Sequence, residues 1–112
     1  MQSNVNVIAT AIPKAHAPSA NQDAVITLSA SSGEKHVLDK VFGGYSSDPG
    51  ALKLLTIEMT VLGTAVTLTY PVGLAFDLNF DPPLQGDDNT AITITLPAGG
   101  DGISGKLNAV TR

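Results

Sequence analysis

The chain has no cysteine and no tryptophan. Without cysteine there is no disulfide staple, no thiolate metal site and no thiol redox chemistry, so any folded state must rest on a hydrophobic core. Charge is scarce as well. Asp, Glu, Lys and Arg together make up 14% of the residues, against about 25% in an average globular protein. The formal net charge is -4, and the cations, among them Lys35, Lys40, Lys53, Lys106 and Arg112, are scattered along the chain. Affinity for a phosphate backbone comes from clustered lysine and arginine, so no nucleic-acid partner is expected. No long apolar run is present, so no membrane span and no membrane partner are expected either. The start, Met1-Gln2-Ser3-Asn4, lacks the basic residues and apolar stretch of a signal peptide. The expectation is a protein made in a cytoplasm and not exported by the usual route.

What is present describes one ordinary domain. A chain of 112 residues with an apolar fraction of 43% is long enough to bury a continuous core. Threonine, serine, asparagine, glycine and alanine supply most of the remaining surface. Burying such residues costs less than burying lysine, so this surface suits large contact areas.

The first twenty residues differ from the rest. Val5, Val7 and Ile8 could form a short strand. Ala11-Ile12-Pro13-Lys14-Ala15-His16-Ala17-Pro18-Ser19-Ala20 follows, with two prolines and little to bury. This predicts an extended arm over 1–22 that attaches the protein to a partner without holding the domain together. From Asp23 onward the pattern has period two, the signature of strands with one buried face. Ala24, Ile26 and Leu28 alternate with Val25, Thr27 and Ser29. The same holds for Leu55–Val61, Val66–Tyr70, Phe76–Phe80 and Ile92–Leu96, and more weakly for Ile103–Val110. Val37, Leu38, Val41, Phe42 and Tyr45 also fit helical spacing. Gly43-Gly44 disfavours a helix by roughly 1 kcal/mol per glycine, so a strand is predicted there. Turn residues separate the runs, including Leu62-Gly63, Pro71-Val72-Gly73, Asp81-Pro82-Pro83, Gly86-Asp87-Asp88-Asn89 and Ala98–Gly102. Short strands at this spacing predict an all-β fold: a jelly-roll-like antiparallel β-sandwich over 23–112, favoured over an immunoglobulin-like sandwich.

Catalytic or metal-binding patterns are hard to find. His16 lies in the arm and His36 at a strand start, neither with ligand partners at defined spacing. No Gly-x-Ser-x-Gly elbow occurs. Asp81, Asp87, Asp88 and Asp101 could offer oxygen ligands to calcium, but their spacing is not that of an EF-hand, and aspartate also starts turns. The turn reading is favoured. Phe76 and Phe80 fall on the apolar phase of their strand and read as core rather than as a sugar-binding platform. No catalytic residue, cofactor or metal site is expected, and no enzymatic activity.

Two stretches carry a resemblance. One is Phe80-Asp81-Pro82-Pro83-Leu84-Gln85-Gly86. The other runs from Thr90 to Leu96 and on through Ala98-Gly99-Gly100-Asp101-Gly102-Ile103-Ser104-Gly105-Lys106-Leu107-Asn108. Together they resemble small β-rich virion proteins of tailed bacteriophages, in which an F-x-P-P turn precedes a Thr/Ala-rich strand and then A-G-G-x-G-hydrophobic-x-G-K-L. His36–Asp39 and Gly43–Ser46 are similar to an early strand of those proteins that often carries a tryptophan before Tyr-Ser; here Gly43 and Gly44 stand in its place. The resemblance implies a structural virion protein on the capsid surface, of the capsid decoration or cement type. It implies a homotrimer that bridges subunits of the major capsid protein and stabilises the head. A neck or tail accessory protein, or a receptor- or carbohydrate-binding module, is the alternative. It transfers no site residues. The partner-contact expectation rests instead on the apolar arm positions Val5, Val7, Ile8 and Ile12, each able to contribute roughly 1 kcal/mol or more when a neighbour covers it.

Overall fold

Where apolar and polar residues alternate, the chain forms strands. A computed structural model of the protein describes residues 11–112. Among these there is no helix, and eight strands follow in order: β1 (Ile12–His16), β2 (Ala24–Leu28), β3 (Val37–Tyr45), β4 (Lys53–Val61), β5 (Thr64–Val72), β6 (Ala75–Gln85), β7 (Ile92–Leu96) and β8 (Gly105–Thr111). They make two four-stranded antiparallel sheets. Sheet A has the order β1-β8-β3-β6 and sheet B the order β2-β7-β4-β5. Apart from the β4–β5 hairpin, successive strands thus fall in opposite sheets and wrap around one core, which is the jelly roll.

The inward phase of each strand fills the space between the sheets. Ala24, Ile26 and Leu28 of β2, Leu55, Ile57 and Met59 of β4, Ile92, Ile94 and Leu96 of β7, and Leu107 and Ala109 of β8 are buried. Each large aliphatic side chain so buried contributes about 1.5–3 kcal/mol of transfer free energy. The outward phase of sheet B is mostly threonine. Thr93 and Thr95 of β7 lie beside Glu58 and Thr56 of β4, which lie beside Thr67 and Thr69 of β5.

β3 explains its own ambiguous spacing. Its pairing with both β6 and β8 shifts register between Leu38 and Lys40, so Asp39 is a bulge. The bulge moves the buried phase from Leu38 to Val41, and the phase then runs through Gly43 to Tyr45. Steps of three and four residues along a strand resulted, which look helical in sequence. Gly43 and Gly44 are required by close approach: a Cβ on Gly43 would collide with the carbonyl of Lys106, and one on Gly44 with the carbonyl of Leu74.

Two expected turns are strand instead. β6 continues through Asp81-Pro82-Pro83, with the Asp81–Pro82 peptide bond cis. The register jump opposite Asp39 accommodates these residues, and prolines are tolerated at bulges and on edge strands because no ladder donor is needed there. β5 likewise runs through Pro71 to Val72. The described part of the arm is extended, as its composition predicts, but it does not stand outside the roll. Ile12–His16 pairs in register with Thr111–Leu107 of β8. All five side chains are exposed, so this strand is held by its backbone and not by a buried face. The 22/23 boundary therefore falls between the first two strands of the roll.

Candidate functional site

The two long sides of the sandwich are built differently. On the first, the edge strands β1 and β2 approach each other. The N–H of Val25 donates to Nδ1 of His16 at 2.8 Å, and Nε2 of His36 donates to the carbonyl of Ser29 at 2.7 Å. Both histidines therefore link an edge of sheet B to the opposite layer or the preceding loop. Further bonds tie the connections at one end of the roll. Ala98 N–H donates to Asp23 Oδ1 at 2.8 Å, Asn21 N–H to the Ile103 carbonyl at 2.8 Å, and Asn21 Nδ2 to Asp101 Oδ1 at 3.1 Å. Tyr45, 8% exposed, donates its hydroxyl to the Pro97 carbonyl at 2.8 Å. Loss of hydration and the nearby Asp23 charge push its phenol up to about 12.

On the second side the edges are β5 and β6. β5 follows β4 through the two-residue turn Leu62-Gly63, which closes the pair Val61–Thr64. In such a hairpin the closing pair is hydrogen-bonded and the pattern alternates. Ala65, Thr67 and Thr69 therefore direct their N–H and C=O groups away from β4. On β6 the bond from Tyr45 N–H to the Leu74 carbonyl, 2.8 Å, sets the same alternation, and Ala75, Asp77 and Asn79 direct theirs away from β3. Between these edges the inward residues Val66, Leu68, Tyr70, Phe76, Leu78 and Phe80 are only partly buried. Tyr70 and Phe80 stack obliquely, with centroids 5.8 Å apart. No side-chain hydrogen bond among the described residues links β5 to β6 across this seam.

Exposed leucines add to the second side. Leu54 is 53% exposed and faces outward opposite Pro71. Leu52, two residues earlier, and Leu74, in the β5–β6 turn, are 68% and 51% exposed. Leu62 at the β4–β5 tip is 90% exposed and has φ 51°, a left-handed conformation uncommon for leucine. The Asp87 carboxylate holds that turn, accepting from Leu62 N–H at 2.9 Å and Gly63 N–H at 2.7 Å.

Of the residues expected to contact a partner, Val5, Val7 and Ile8 lie outside the described residues. Ile12 opens β1, paired with Thr111 and 45% exposed. Asp87 serves the β4–β5 turn and Asp101 the Asn21 side chain. Among the described residues no three His, Asp or Glu side chains gather as metal donors. The free edges and exposed leucines were not foreseen from sequence, because strand order decides which strands are edges. Comparison with protein-family models, curated proteins and solved structures finds no match for this chain.

Proposed function

We propose that the protein is a structural subunit of a bacteriophage virion: a homotrimeric capsid decoration protein that bridges subunits of the major capsid protein on the head surface. The observation that carries this reading is the β5/β6 side. It offers two long strands with unused backbone groups, a partly buried apolar seam and exposed leucines at its two ends. Natural proteins blunt such edges with lysine, proline or cover, or they use them for pairing. The central stretches Thr64–Tyr70 and Ala75–Asp81 contain no lysine and no proline. Because β5 and β6 are different strands on one side, a contact from β5 of one copy to β6 of the next is head-to-tail, the type of contact that makes a ring when its rotation closes. Three copies in that ring is what the sequence resemblance implies. The low-charge, threonine-rich outer face of sheet B and Leu62 are then the surfaces offered to the capsid.

Light scattering on the purified protein, paired with co-sedimentation on purified phage heads, tests the proposal. A particle of three subunits that sediments with heads is expected. Thr67→Pro removes an N–H that no strand of the same chain uses, and it should yield a folded monomer. A wild-type protein that is strictly monomeric at micromolar concentration and does not bind heads overturns the reading.

A further inference from the structure

Three of the cations that look scattered in sequence come together in space. A groove of about 540 Å³ lies beside β1 and β2, and Lys14, Lys35 and Arg112 line it together with His36. These are three of the six Lys and Arg residues in a chain of net charge -4. Ile12, Leu28 and Thr111 also line it.

The groove also exposes backbone. Val25 turns its N–H away from β7 toward His16, and Ser29 turns its carbonyl to His36. By the period-two geometry of an antiparallel edge, Thr27 between them directs both its N–H and its C=O into the groove. The two histidines close the edge on either side of Thr27, which leaves room for a compact group and not for a long added strand. Among the described residues neither Lys14 nor Lys35 is in an ion pair, whereas Arg112 is held by Asp39 with Nη2–Oδ1 2.6 Å and Nε–Oδ2 2.8 Å. Glu34 is the one carboxylate lining the groove.

We infer that this groove is a binding site for an oxyanion group, a carboxylate or a phosphate, received by Lys14, Lys35 and the Thr27 N–H, with the Arg112–Asp39 pair as a fixed wall. Charge-assisted bonds from two lysines and a backbone donor are the usual means of holding such a group. The inference stands apart from the virion reading, because it uses the β1/β2 side and requires no self-association.

The test uses two probes on the full chain, followed by amide chemical shifts and calorimetry. One is inorganic phosphate. The other is the capped peptide acetyl-Thr-Glu-Val-Glu-Thr-amide. With at least one probe, shifts confined to Thr27, Lys35 and His36 are expected below about 20 mM, a range that detects a millimolar site. Tighter binding of the peptide identifies an acidic polypeptide side chain as the source, and tighter binding of phosphate a free oxyanion; both support the site. Lys14→Gln with Lys35→Gln should weaken binding about tenfold or more, and Glu34→Gln should tighten it about two- to threefold. Both variants should keep the wild-type melting temperature. Lys53→Gln with Lys106→Gln, outside the groove, is the control. If the control weakens binding as much as the groove pair does, or if neither probe shifts the groove amides, the inference fails.

Discussion

The two sides of the roll differ in how they are closed. The β1/β2 side uses short strands, five residues each, and the histidines occupy backbone groups along their edges. The β5/β6 side uses strands of nine and eleven residues that meet through the Tyr70–Phe80 stack, with no side-chain hydrogen bond across the gap among the described residues. A jelly roll has four edge strands, and in this chain side chains tie two backbone groups at the β2 edge and none of those described at the β5 and β6 edges. The tied side contributes to the stability of the monomer, and under the proposed function the open side is where copies would associate.

That division makes the largest prediction one about truncating a residue at the centre of the core and one at the β5/β6 seam. Ile94 is fully buried at the centre of sheet B. Ile94→Ala should cost about 3–4 kcal/mol in chemical denaturation. Leu78→Ala, at the β5/β6 seam, removes a partly buried side chain and should cost about half that or less in the isolated subunit. It should nevertheless weaken self-association more than Ile94→Ala does in whatever protein remains folded. Equal costs for both in the monomer would show that the seam is ordinary core.

Next in size is removal of β1. The composition of residues 11–22 argues for an arm whose loss leaves the domain intact, but Ile12–His16 supplies a ladder to β8 and the imidazole that satisfies Val25 N–H. Net backbone hydrogen bonds contribute about 1 kcal/mol each. A chain starting at Ala17 should melt about 10 °C or more below a chain starting at Ala11. Equal melting temperatures would return β1 to the status of an attachment arm and remove the contrast between the two sides.

How much of this was legible in the sequence follows from which property sets each feature. Alternation is local, so the buried phases of β2, β4 and β7 could be read directly. Ile26, Ile57 and Ile94 all lie where the pattern puts them. β3 was ambiguous because a bulge at Asp39 breaks the period. The end of β6 was hidden because prolines at an edge mimic a turn. β1 was hidden because a backbone ladder leaves no apolar signature when all its side chains face solvent. The groove was invisible for another reason. Lys14, Lys35 and Arg112 are far apart in sequence, and only the β1–β8 pairing and the loop after β2 bring them together.

Tyr45 offers a smaller, pH-dependent effect at the tied end of the roll. Its phenol is raised to about 12 in the folded state, above an unfolded value near 10. A raised value stabilises the fold fully below the unfolded value, and that contribution is lost as pH rises toward the folded one. Melting temperature should therefore fall between roughly pH 10 and 12 in the wild type. Tyr45→Phe should be less stable at neutral pH, through loss of the bond to Pro97, and should lack most of this alkaline decline. If it declines as steeply as the wild type, Tyr45 is not the group responsible.

The smallest effects come from two ion pairs one residue apart on β3, reaching toward opposite sides. Asp39 accepts two bonds from the Arg112 guanidinium, which hold its carboxyl below the ordinary value. Lys40 reaches Asp77 on β6 with a single contact of 3.4 Å and also lies 5.1 Å from the centre of the Phe42 ring. A planar guanidinium meeting a carboxylate with two bonds is pre-organised, whereas a flexible lysine at the surface gains little over water. A depressed carboxyl value contributes stability that is present above the unfolded value and lost as pH falls through the folded one. Asp39→Asn should therefore lower the melting temperature slightly at neutral pH, and the deficit should shrink steadily as the wild type is acidified toward about pH 2. Added salt should reduce it only in part, because the two bonds are short-range. Asp77→Asn should match the wild type at every pH. A deficit in Asp77→Asn as large as that in Asp39→Asn would show that the β6 edge is tied to β3 by charge as firmly as the end of β8 is, and the open side would no longer be the looser of the two.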